Sequence, residues 1–154
     1  MIKKVITAAS VVVLLLTACQ GEQENPARTE LAETTVTEDS EMILAIDGTE
    51  VPVIWEDNTS VEELEGLAAS GLTIEMSMYG GFEQVGPVGS TITSSDVQIT
   101  TSPGDIVLYS GDQMVVFFGS NSWSYTRLGR IDLPSEEITE LLSGSDVTIT
   151  ITGG

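Results

Sequence analysis

Beyond residue 41 the chain runs in short apolar bursts separated by glycine, proline and acidic turns. Met42-Ile43-Leu44-Ala45-Ile46 reads as a strand, Asp47-Gly48 as a hairpin turn, and Val51-Pro52-Val53-Ile54-Trp55 as the return. Pro52 lacks an N–H, which places that return at a sheet edge or gives it an irregular start. Ser60-x-x-Glu63 has the spacing of a capping box. Val61, Leu64, Leu67 and Ala68 then share one face of a short helix that Gly71 is placed to end. From Leu72 to Tyr79, apolar Leu72, Ile74, Met76 and Met78 alternate with polar residues, the period of a half-buried strand. Gly80 to Gly89 reads as a glycine-rich loop, and Val97–Ile99, Ile106–Tyr109, Met114–Phe118 and Arg127–Asp132 as further strands. Pro134-Ser135-Glu136-Glu137 opens a second helix carrying Ile138, Leu141 and Leu142, stopped by Gly144, and Val147–Ile151 is the last strand. Seven or eight short strands with two short helices predict a mainly β domain, a small barrel rather than a βαβ sheet.

The first forty residues are patterned differently. Lys3 and Lys4 precede an apolar run from Val5 to Leu16. As a helix that run spans about 18 Å, well short of the ~30 Å hydrocarbon core, so it fits the apolar region of an export leader. It ends in Leu16-Thr17-Ala18-Cys19, and Cys19 is the single cysteine of the chain. That tetrad resembles the lipobox of bacterial lipoproteins. The resemblance implies removal of residues 1–18 and a lipid on Cys19, which anchors the protein at the extracytoplasmic face of a membrane. Two or more acyl chains make such an anchor stable. Residues 19–40 then comprise the lipidated cysteine and an acidic stretch without apolar periodicity, expected to be a disordered tether. The domain occupies 41–154.

Charge narrows the chemistry. With the leader gone, the three arginines Arg28, Arg127 and Arg130 face 24 acidic residues, a net charge of −21. Such a surface repels phosphate backbones, so nucleic acid is not an expected partner. The chain has no histidine, which removes the Ser-His-Asp triad and histidine-based metal sites. A cysteine committed to lipid leaves none for a disulfide or for thiol catalysis. No calcium-loop motif and no phosphate-cradling GK[ST] ending occur. No cofactor or metal is expected.

Three stretches carry a resemblance: Tyr79-Gly80-Gly81-Phe82-Glu83-Gln84-Val85-Gly86, Pro103-Gly104-Asp105-Ile106-Val107-Leu108-Tyr109, and Phe117-Phe118-Gly119-Ser120-Asn121-Ser122-Trp123-Ser124-Tyr125-Thr126-Arg127-Leu128-Gly129. In order and separation they are similar to the small bacterial cyclophilin-like domains, over roughly Met42 to Ile151. The resemblance implies a closed β-barrel capped by two helices. True cyclophilins are prolyl isomerases that use an arginine beside an apolar proline pocket. No position here aligns with that arginine, so no catalytic residue is carried over.

Candidate site residues follow from residue type and place. Tyr79 and Phe82 flank a glycine pair, and Trp123 and Tyr125 fall in a Gly/Ser/Asn-rich stretch read as a loop. Aromatic residues there either pack as a lid or line a pocket. Arg127 and Arg130, three apart on a strand, are expected on opposite faces. Arg127 is either an ion-pair partner or a donor to a peptide backbone. The leading expectation is a membrane-anchored, non-catalytic module that binds a peptide or small ligand near Tyr79, Phe82, Trp123, Tyr125 and Arg127. The alternatives are an extracytoplasmic prolyl isomerase and a structural envelope protein.

Overall fold

The computed structural model describes residues 42–154; the leader, Cys19 and the acidic stretch to residue 40 lie outside the described residues. The first hairpin joins β1 (Ile43–Ile46) to β2 (Thr49–Val51). Asp47 and Gly48 both take positive φ, +49° and +86°, as the tight turn that matches strand twist requires. The Asp47 carboxylate also accepts the Thr148 N–H at 2.8 Å.

Pro52 divides the expected return strand. Without an N–H it cannot continue the ladder, so β2 stays beside β1 while β3 (Val53–Trp55) begins in a different sheet. Helix α1 (Thr59–Ala68) follows. Its cap is Asn58, extended at φ −153°, whose Oδ1 accepts the Val61 N–H at 3.0 Å. The expected capping box does not form, because Ser60 and Glu63 already lie inside the helix. They hold the segment around Thr93 instead: Ser60 Oγ donates to the Thr93 carbonyl at 2.6 Å, and Glu63 accepts from the Thr93 N–H and hydroxyl.

The expected strand from Leu72 to Tyr79 divides at Met76 into β4 (Leu72–Glu75) and β5 (Ser77–Tyr79). The glycine-rich stretch, expected to be a loop, contains a further strand, β6 (Glu83–Pro87), paired with β5. Gly86 lies beneath the bend at Met76, where a Cβ would stand 2.6 Å from the Glu75 carbonyl and 2.7 Å from Met76 Sδ. Glycine is needed here for close packing, not for a turn. The remaining elements are β7 (Val97–Thr100), β8 (Asp105–Tyr109), β9 (Gln113–Phe117), β10 (Ser122–Ile131), α2 (Ser135–Leu142) and β11 (Thr148–Thr152).

The strands pair antiparallel in two sheets. The larger runs β3-β10-β8-β9-β6-β5, with β7 on the first half of β10; the smaller runs β2-β1-β11-β4. The expected closed barrel is therefore replaced by two open sheets. The chain passes from one to the other at Pro52 and again at Met76, so both breaks fall where a strand switches sheets.

One core fills the inner faces. Leu44, Ile74, Ile149 and Ile151 come from the smaller sheet, and Ile106, Leu108, Met114, Val116 and Leu128 from the larger. Leu64 and Ala68 of α1, with Ile138 and Leu142 of α2, complete it. Gln84 points inward on β6 without exposure and donates through Nε2 to the Leu142 and Ser145 carbonyls, both at 2.7 Å. The bond to Leu142 satisfies a carbonyl that the end of α2 leaves unpaired. Among the described residues no helix is long and apolar enough to cross a membrane.

Candidate functional site

Strands β8 and β9 read Asp-Ile-Val-Leu-Tyr and Gln-Met-Val-Val-Phe, nearly continuous apolar runs. Runs of that kind are covered on both faces, and here Ile106, Leu108, Met114 and Val116 face the main core. Their neighbours Val107, Val115 and Phe117, with Tyr125 of β10, make a second buried cluster on the outer face, flanked by Phe82, Val85 and Ile99. Tyr125 organises it. Its ring meets Phe117 edge-on at 5.7 Å and Tyr109 at 6.1 Å, the separation that aromatic quadrupoles favour.

Trp123 and Tyr125 lie on a ten-residue strand, not in the expected loop. The first half of β10 pairs with β7, Trp123 opposite Ile99 and Tyr125 opposite Val97, and the second half pairs with β8 and β3. The ladder slips between Arg127 and Gly129. That bulge shifts the side-chain phase, so Arg127 stands opposite Val107 and Arg130 opposite Asp105, both outward-facing positions. The two arginines thus share a face, contrary to the alternation expected of an unbroken strand.

On this face a cavity of about 290 Å³ opens. Val85 and Val115, register partners on β6 and β9, form its base. Tyr79, Tyr109, Trp123 and Tyr125 surround it, with Asn121 and Glu83 as further polar lining. Tyr79 is 66% exposed and Trp123 56%, so two large aromatics stand at a solvent-facing rim. Tyr79 ends β5 before Gly80 and Gly81, both at positive φ, and a Cβ on Gly80 would collide with the Phe82 ring. Phe82 itself packs against the second cluster and anchors the next loop, its carbonyl accepting from the Phe118 and Gly119 N–H groups at 3.0 and 2.9 Å. Asn121 is clamped by Thr101 on its backbone and donates through Nδ2 to the Tyr125 hydroxyl at 2.9 Å.

Glu83 is the chemically unusual member. It is 7% exposed, and its Oε2 has no hydrogen-bond partner among the described residues. Burial raises its pKa from 4.5 to about 7, since the charged form is the one that desolvation penalises. The Tyr125 phenol is raised chiefly by burial, against the Asn121 bond that lowers it and with the Glu83 charge adding to the rise.

Of the residues expected from sequence, the structure brings Tyr79, Trp123 and Tyr125 together at this cavity, while Phe82 packs beside it. Arg127 is not among the lining residues. Its Nη1 lies 3.3 Å from Oδ2 of the buried Asp105, which also accepts the Ser102 N–H. Glu83, Asn121, Tyr109, Val85 and Val115 also line the cavity and carry no mark of a site in the sequence, although the two-sided apolar runs of β8 and β9 point to a second covered face.

A family model for the cyclophilin-like family matches residues 44–152, from within β1 to the end of β11. A comparison with curated proteins gave no match.

Proposed function

From the premise that this chain belongs to the cyclophilin-like family, we propose that its domain is a non-catalytic binding module whose ligand occupies the aromatic cavity. One observation carries the reading: exposed Tyr79 and Trp123 stand beside a cavity that also holds a buried, unpartnered carboxyl. Large aromatics in water are unfavourable unless something covers them, and an apolar cavity with a few convergent polar groups is the usual form of a ligand site. A prolyl isomerase is less well supported, because Arg127 is engaged by Asp105 outside the cavity lining. The test follows cis–trans exchange of a short Ala-Pro peptide by NMR with the full chain present. The binding reading expects the uncatalysed rate, with relaxation over tens to hundreds of seconds. Acceleration at catalytic protein concentrations would establish the isomerase.

In the same reading, lipid on Cys19 holds the domain at the outer face of a membrane, with residues 20–40 as spacer. The support is the Leu16-Thr17-Ala18-Cys19 ending of the apolar leader. Cys19→Ser is expected to move the protein from the membrane fraction to the soluble fraction. Retention of that variant with intact membranes after high-salt washing would overturn the lipid anchor.

A further inference from the structure

We infer that the cavity takes an organic cation, a primary ammonium group seated among Tyr79, Tyr109, Trp123 and Tyr125 and directing its N–H groups at the Glu83 carboxyl. The inference rests on the binding-module reading and names the ligand chemistry of that same cavity.

Three observations converge on this chemistry. First, four of the lining side chains are Tyr or Trp, whose ring faces carry negative potential and attract ammonium groups. Second, Glu83 Oε2 is an acceptor with no partner among the described residues, although its residue is more than nine-tenths buried. A buried acceptor of that kind gains most from a donor that arrives with positive charge. Third, no lysine or arginine lines the cavity, so no charged group in its lining attracts an anion. Arg127 is paired with Asp105, and the net charge of the chain, −19, draws cations toward the surface. At about 290 Å³ the cavity is at the small end of ligand sites, suited to a single side-chain-sized group. The same ammonium chemistry is offered by a lysine side chain of a peptide and by a free aliphatic amine.

Binding is then coupled to the ionisation of Glu83. The titratable groups that face it are the phenols of Tyr79 on β5, Tyr109 on β8 and Tyr125 on β10. A cation favours the carboxylate, so binding expels the proton that Glu83 carries near neutral pH. Affinity therefore rises with pH through about 7.

The test titrates the full chain with n-butylammonium, its neutral counterpart n-butanol, and Nα-acetyl-lysine-N-methylamide, following the Trp123 indole N–H by NMR at pH 6 and pH 8. The expected result is a butylammonium affinity at pH 8 at least tenfold above that for butanol. It should fall roughly tenfold by pH 6, in step with the carboxylate fraction of a group titrating near 7. Glu83→Gln, which keeps the shape of the side chain, should reduce the preference to what the aromatic rings alone supply and erase the pH dependence. A lysine derivative that binds more tightly than butylammonium identifies a peptide as the source, and the reverse order identifies a free amine. Equal binding of butanol and butylammonium would overturn the cation assignment, and an undiminished preference or a pH dependence kept by Glu83→Gln would overturn the seating of the cation at Glu83, either result leaving the binding module standing. No response of the Trp123 indole to any of the three probes would count against both.

Discussion

Glu83 stands directly opposite Phe117 in the ladder between β6 and β9, so a carboxyl shares a sheet face with the ring that Tyr125 contacts edge-on. A carboxyl amid aromatic neighbours costs stability whenever it is charged. The chain keeps it at a position where valine or leucine would extend the adjoining apolar cluster. That local conflict between stability and chemistry is the pattern expected of a functional site.

The conflict has a sign that can be measured. Glu83 titrates near 7 in the folded chain and at its ordinary 4.5 in the unfolded one. Between these values the folded state binds more protons, so stability falls as pH rises. The contribution is fully present below pH 4.5 and lost as pH passes through about 7. After discounting for the open side of the cavity it amounts to about 2 kcal/mol. Glu83→Gln should remove that slope and leave the protein more stable than wild type at pH 8, as measured by urea unfolding at pH 5 and pH 8. Parallel pH profiles for the two proteins would contradict the burial of this carboxyl.

Gly86 makes a separate claim about the fold. A Cβ there meets the Glu75 carbonyl and Met76 Sδ at the bend where the chain leaves one sheet for the other. Gly86→Ala is expected to cost about 2 kcal/mol, within the range for overpacking a tight interior, and to lower the denaturant midpoint. By contrast, Gly144→Ala has open space around it and should change stability by less than about 0.5 kcal/mol. Equal effects at the two positions would count against the bend at Met76.

Arg127 separates the binding reading from the isomerase. Because its guanidinium is held by Asp105 and does not line the cavity, Arg127→Ala should leave butylammonium affinity within about twofold of wild type. It should destabilise the chain by about 1 kcal/mol, since the buried Asp105 loses one partner but keeps the Ser102 N–H. A tenfold loss of affinity, read by the same indole titration, would return Arg127 to the site.

Much of this architecture is legible in the sequence where local chemistry decides it. Asp47-Gly48 can hardly be anything but a tight turn, and the 3.6-residue spacing of Val61, Leu64 and Ala68 marks the buried face of α1. The splitting of strands at Pro52 and Met76 is less accessible, because it depends on which sheet offers each half a partner. Gly86 illustrates the difficulty: in sequence it looks like loop glycine, and only contact with a bend ten residues earlier explains it. The bulge after Arg127 reverses the expected facing of Arg130 for the same reason, as register is set between strands. At the site, the aromatics announce themselves by type. Glu83 does not, since one acidic residue among 24 carries no mark until its burial is known.

The most direct test of the cavity as a binding site is amide chemical-shift mapping of the full chain titrated with n-butylammonium at pH 8. The account predicts perturbations confined to residues 79–85, Tyr109, Val115 and 121–125, with the Trp123 indole among the largest. Saturable shifts centred elsewhere, or none at all, would contradict it.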